Sequence, residues 1–121
     1  FGITLDVLSA DPKLAARILS FNGADSLADL YTEQGTAYRA EVDMLALMSV
    51  DDPEFFVSNA NHPATLPAST SALLHHPLHG QVLLERADEI GLSSVVYLPT
   101  LGVLHPSGEG PVDFLIRKLD Q

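Results

Sequence analysis

Apolar residues recur at helical spacing through the first 50 positions of the chain, and the polar residues between them mark where each helix starts and stops. Asp11-Pro12 supplies an N-cap followed by a proline at the first helical position. Leu14, Ala15, Ile18 and Leu19 then form one apolar stripe, and Asn22-Gly23 ends it as a left-handed C-cap does. A second helix is predicted from a cap at Asp25 or Ser26 through Leu27, Leu30 and Tyr31, ending at Gly35. Thr36 caps a predicted third, with Tyr38, Val42, Leu45 and Met48 on one face, until Asp52-Pro53 breaks the pattern. Met44, Leu45, Leu47 and Met48 read as core.

Beyond Pro53 the period changes. Residues 54–58 (EFFVS) form a short β-type run, predicted as a buried strand. Residues 59–71 are rich in Pro, Ser, Thr and Asn and read as a long loop. A helix opens at Pro77, carries Leu78, Val82, Leu83, Ala87 and Ile90 on one face, and stops at Gly91 before a strand over Ser94–Leu98. Pro111 opens a last helix, in which Val112, Leu115, Ile116 and Leu119 lie at i, i+3, i+4, i+7. The fold class is therefore α/β: a helical segment over 1–52, then strand, loop, helix, strand and helix over 53–121. Two parallel strands joined by a helix cannot cover both of their faces, so a partner or a second copy is expected at the sheet edge.

Composition narrows the function classes. The 121 residues hold 46% hydrophobic side chains, which fits a folded globular chain, and no apolar run is long enough to span a bilayer. Sixteen acidic against six basic residues give a net charge of −10, repelling phosphate backbones and anionic lipid, so neither nucleic-acid nor membrane binding is expected. There is no cysteine, hence no disulfide, thiol catalysis or thiolate metal site, while the compartment stays open with the cytoplasm slightly favoured. Phe1 reads as a processing point or an artificial end, because neither Met nor a signal-peptide n-region precedes the first helix.

Two stretches resemble the C-terminal half of esterase-like α/β-hydrolases. One is Val42-Asp43-Met44-Leu45 with Asp51-Asp52-Pro53-Glu54-Phe55-Phe56-Val57, similar to the passage from cap helices into the penultimate strand. The other is the run 95–98 with Pro99-Thr100-Leu101-Gly102, similar to the final strand and the turn before the catalytic histidine. The resemblance implies hydrolysis of a carboxylic ester or related acyl compound, with His105 accepting the serine proton and residues 11–48 shaping an apolar acyl pocket. It implies no cofactor. The Gly-x-Ser-x-Gly nucleophile elbow is absent, since Gly91-Leu92-Ser93-Ser94-Val95 lacks the second glycine and lies between helix and strand. The serine and oxyanion hole would come from an N-terminal half on a separate chain. The acid departs from the pattern too: where the family carries it, this chain reads Asn59-Ala60-Asn61-His62-Pro63, and no Asp or Glu lies between Glu54 and Glu85. Asp51 and Asp52 are the alternatives, although a helix-ending turn explains them better.

Other candidates are blander. His75 and His79 have an i, i+4 spacing that can share a metal, but Pro77 separates them, no HExxH glutamate accompanies them, and no metal is expected. His76 reads as a helix cap. Asp25, Asp29 and Glu33 form a solvated acidic face, and 107–110 (SGEG) a turn. A non-catalytic protein-binding subunit and a free-standing homodimer are the rival readings.

Overall fold

The computed structural model describes residues 11–120 as a mixed α/β chain. The expectation about Phe1 lies outside the described residues. Helix α1 spans Pro12–Asn22, capped by Asp11, whose carboxylate accepts from the N–H groups of Lys13 and Leu14. Gly23 closes it at φ 61°, a left-handed position where a side chain would be strained.

The next segment departs from the expected boundaries. Leu27–Tyr31 is a 3₁₀ turn fixed by a capping box between Ser26 and Asp29, and α2 (Glu33–Glu41) starts immediately after Thr32. Gly35 was expected to end one helix and Thr36 to cap the next. Instead Thr32 Oγ1 accepts from the Gly35 N–H, and Gly35 sits inside the first turn of α2. A Cβ there would collide with the Asp29 carbonyl, so glycine serves a close approach rather than a helix stop. The single face through Tyr38, Val42, Leu45 and Met48 is also interrupted. Val42 ends α2, and Asp43 caps a separate short helix, α3 (Met44–Leu47), by accepting from the Leu45 and Ala46 N–H groups. Leu45 and Met48 are half-buried, but Met44 and Leu47 stand more than half exposed and are not core.

Strand β1 is Phe55–Ser58. The loop that follows is less irregular than expected, because Ser69 caps a one-turn helix α4 (Thr70–Leu74). Helix α5 (Pro77–Ile90) and strand β2 (Ser94–Leu98) fall where the apolar pattern puts them. β1 and β2 pair in parallel, Phe55 opposite Ser94 through Ser58 opposite Tyr97, with α5 as the crossover. A 3₁₀ turn (Pro99–Leu101) and Gly102 at φ 73° fold the chain back into β3 (Val103–Leu104), which pairs antiparallel with β2. The resulting three-stranded sheet, in the order β1-β2-β3, is mixed rather than wholly parallel.

Side chains alternate across this sheet. Val57 and Leu98 face α5, and Gly80 brings that helix so close that an added Cβ would lie 2.9 Å from a Leu98 methyl. Phe56 and Tyr97 face the other way, toward the last helix, α6 (Pro111–Leu119): their ring centroids are 5.8 Å apart, and Phe114 stands 5.5 Å from Phe56. Val95, Val96, Leu98 and Ala87 are sealed from solvent. A second small cluster joins Leu14 and Ile18 of α1 to Leu73 and Leu78, docking the N-terminal helix onto the crossover.

Helix α6 falls where Pro111 and the apolar spacing put it, but its aliphatic stripe faces outward: Val112, Leu115, Ile116 and Leu119 are between 53% and 84% exposed. Phe114 is the residue that enters the core, and Arg117 and Lys118 on the same side pair with Glu54 at 2.8 and 2.7 Å. Arg117 also holds Glu109 at 2.8 Å, so one guanidinium ties the helix both to the start of β1 and to the preceding loop.

Candidate functional site at the carboxyl edge of the sheet

In a parallel β-α-β unit the crevice beyond the carboxyl ends of the strands is where ligands meet the loops. Here that edge gathers Asn59, His62, His75 and the N-terminus of α5. Asn59 continues β1: its N–H donates to the Tyr97 carbonyl at 2.9 Å, and its side-chain amide donates to the His75 carbonyl at 2.6 Å, joining strand end to helix start.

Hydrogen bonds place a proton on three of the histidines here, His75, His76 and His79. The His75 Nδ1–H donates to the Ser71 carbonyl at 2.9 Å, leaving Nε2 as the lone-pair nitrogen. The ring of His62 lies beside it, with centroids 5.2 Å apart and planes within 15°. His76 is buried as the cap of α5: its Nδ1 accepts from the Leu78 N–H and its Nε2–H donates to the Thr65 carbonyl at 2.9 Å. The His79 Nε2–H donates to the Leu73 carbonyl at 2.7 Å, and burial of the ring lowers its pKa below the ordinary value of 6.5. The i, i+4 pair His75/His79 is thus split between an exposed loop position and a helix-packed one. Among the described residues no group of three or more His, Asp or Glu side chains could hold a metal ion. A shallow cavity of about 130 Å³ opens beside this cluster, lined by His62, Pro63, Leu66, Pro67, Ala72 and His76.

His105 is placed elsewhere. The pairing of Tyr97 with Leu104 sets it level with Val96, in from the carboxyl end of β2, with its ring edge-on to Tyr97 at 6.3 Å. Its Nδ1 accepts from the Ser107 N–H at 3.3 Å and contacts Ser107 Oγ at 2.8 Å, while the Glu109 N–H donates to that hydroxyl. The hydrogen is therefore on Nε2. A triad histidine works in the opposite tautomer, Nδ1–H held by an acceptor and Nε2 open to the serine. Adopting it requires the 105–109 turn to release the Ser107 N–H. No carboxylate reaches the His105 ring among the described hydrogen bonds, and Asp52 is engaged in its own turn, accepting from the Ser49 N–H at 2.8 Å.

The strongest electrostatic feature lies at the opposite end of β1. Hydrogen bonds from Arg117 and Lys118 hold the Glu54 carboxyl at a pKa of about 2, far below its ordinary 4.5, and Glu109 is lowered by Arg117 in the same way. These groups are paired with one another and fasten α6 in place.

Sequence reasoning found His75, His76 and His79 but treated 59–63 as loop. The Asn59–His75 bond and the His62–His75 ring pair join residues 16 and 13 positions apart, which no local spacing announces. No protein-family description, curated protein or solved structure matches the chain.

Proposed function

We propose that this chain is the C-terminal portion of a serine hydrolase of the α/β-hydrolase type, acting on carboxylic esters or related acyl compounds. The observation that supports this reading is the edge of β1: Val57 packs on α5 and Phe56 on Phe114 of α6, so both faces of the strand are covered, while among the described residues β1 ends the sheet with no strand paired on its other side. The histidine-bearing loops lie around that unfinished layer. An N-terminal half carrying the serine and oxyanion hole completes it, His105 takes the serine proton once its turn rearranges, and α1 to α3 roof the acyl pocket. Among the described residues no helix is long and apolar enough to cross a membrane.

The test is fluorophosphonate labelling and p-nitrophenyl ester turnover by the chain as isolated with whatever copurifies. A labelled companion whose turnover falls at least a hundredfold with His105→Ala supports the reading. Turnover untouched by that change sinks the assignment of His105. The bonding of His105 Nδ1 to Ser107 favours a second reading, a non-catalytic subunit that keeps the fold and binds another protein. A copurifying partner that takes no fluorophosphonate is its signature.

A further inference from the structure

Helix α3 meets the rest of the chain with only part of its circumference. Leu45 and Met48 are half-buried, and the Arg86 Nε–H donates to the Leu45 carbonyl at 3.0 Å, which ties α3 to α5. Met44 and Leu47, one turn apart, are more than half exposed, as is Val50 in the turn that follows, and Val42 before the helix is 40% exposed. Single apolar residues on a surface are ordinary, but four within nine positions around one short helix gain by being covered. The same stretch, residues 40–53, carries Glu41, Asp43, Asp51 and Asp52, all exposed, and holds no Lys or Arg. Asp43 and Asp52 cap their own turns, and among the described residues no ion pair reaches any of the four carboxylates. Arg86, which touches α3 from α5, is already paired with Glu89 at 2.7 Å.

We infer that this acid-rimmed apolar surface of α3 is the docking site for a cationic amphipathic helix of another protein. The apolar face of such a helix covers Met44 and Leu47, its flanking Lys or Arg residues meet the four carboxylates, and the flexible Met44 thioether adapts to the packing. Local charge decides between occupants. A second copy of the chain brings four more carboxylates to the same contact, and residues 1–10 offer Asp6 with no Lys or Arg, so neither matches the acidic rim. The surface is independent of the ester chemistry proposed above, since it uses neither His105 nor the carboxyl edge of the sheet.

The chain has two methionines, so isotope labelling of their methyl groups gives one exposed reporter, Met44, and one half-buried, Met48. The probe is a synthetic amphipathic helical peptide of Leu and Lys, titrated into the full chain beside a counterpart with Glu in place of Lys. The Met44 resonance is expected to move saturably with the Lys peptide alone, with an affinity that falls as salt rises. Leu47→Ser with Val50→Ser, both at exposed positions, is expected to weaken binding roughly tenfold while the Tm stays within a few degrees. Glu41→Gln with Asp51→Asn leaves the Asp43 and Asp52 caps intact and is expected to weaken binding and flatten its salt dependence. A peptide that binds the Leu47→Ser, Val50→Ser chain as tightly as the unchanged one is held by charge alone, which overturns the site. A Met44 resonance that the Lys peptide leaves unmoved overturns it too. A Met44 resonance that shifts with protein concentration before any peptide is added makes a second copy the occupant. Contacts from the Met44 methyl to Ile3, Leu5 or Val7 in the free chain make residues 1–10 the occupant, and either result overturns the proposal.

Discussion

Gly80 is where two opposing effects of known size meet. It lies in α5, buried against the sheet, and an alanine Cβ would sit 2.9 Å from Leu98 Cδ2, 3.1 Å from Val57 Cγ1 and 3.4 Å from Leu98 Cδ1. Helix propensity alone favours Gly80→Ala by about 1 kcal/mol. Against it stands overpacking, which costs ~1–3 kcal/mol where the neighbours cannot yield. Leu98 is fully buried, which denies it an empty direction to move, while Val57 on the edge strand has some room. The clash should win, for a net loss of about 1 kcal/mol, or ~4 °C in Tm for a domain of this size. Gly80→Val adds two methyls and a branched Cβ to the same contact, and a loss of roughly 3 kcal/mol is expected. Thermal and urea unfolding by circular dichroism measure both. A Gly80→Ala protein with an unchanged or higher Tm would show that α5 does not approach β1 and β2 this closely, and the packing of the crossover would need redrawing.

Three further outcomes follow from particular contacts. Phe114→Ala should destabilise by ~3–4 kcal/mol, whereas Leu119→Ser should change unfolding by less than ~0.5 kcal/mol, because only the first of these apolar residues is buried; the reverse order in urea unfolding would mean that α6 is seated by its stripe after all. Glu54 has a folded pKa of about 2 against 4.5 for the free group, so its contribution is complete above about pH 4.5 and is lost as the pH falls toward 2. Glu54→Gln should flatten that acid limb, and an unchanged limb refutes the assignment. His79, whose pKa burial holds below 6.5, resists protonation in the folded state, so stability should also fall as the pH drops through the range below 6.5; His79→Gln should remove this step from pH-dependent unfolding.

What the sequence determined is local. Helix α1 with its Asp11 cap and Gly23 stop, helix α5 between Pro77 and Gly91, and strand β2 were legible because cap, proline and glycine chemistry act over a few residues and the apolar period does the rest. The Thr32 cap was missed because Gly35 looks like a helix stop until the approach of the Asp29 backbone is known. Strand β3 was missed because two residues have no period; only pairing with Tyr97 and Leu98 makes them a strand.

The tertiary structure alone decided which side of α6 is buried. The spacing of four aliphatic residues left the buried side open, and Phe114 against Phe56, with Arg117 and Lys118 locked to Glu54, turned that stripe outward. Periodicity reports that a helix has an apolar face but not what stands opposite it. In the same way the sequence supplied the histidines, while the parallel pairing of β1 and β2 decided that His62 and His75 meet at the carboxyl edge and His105 lies in from it. The reason is physical: side-chain identity is a local property, and adjacency is set by how the chain closes on itself.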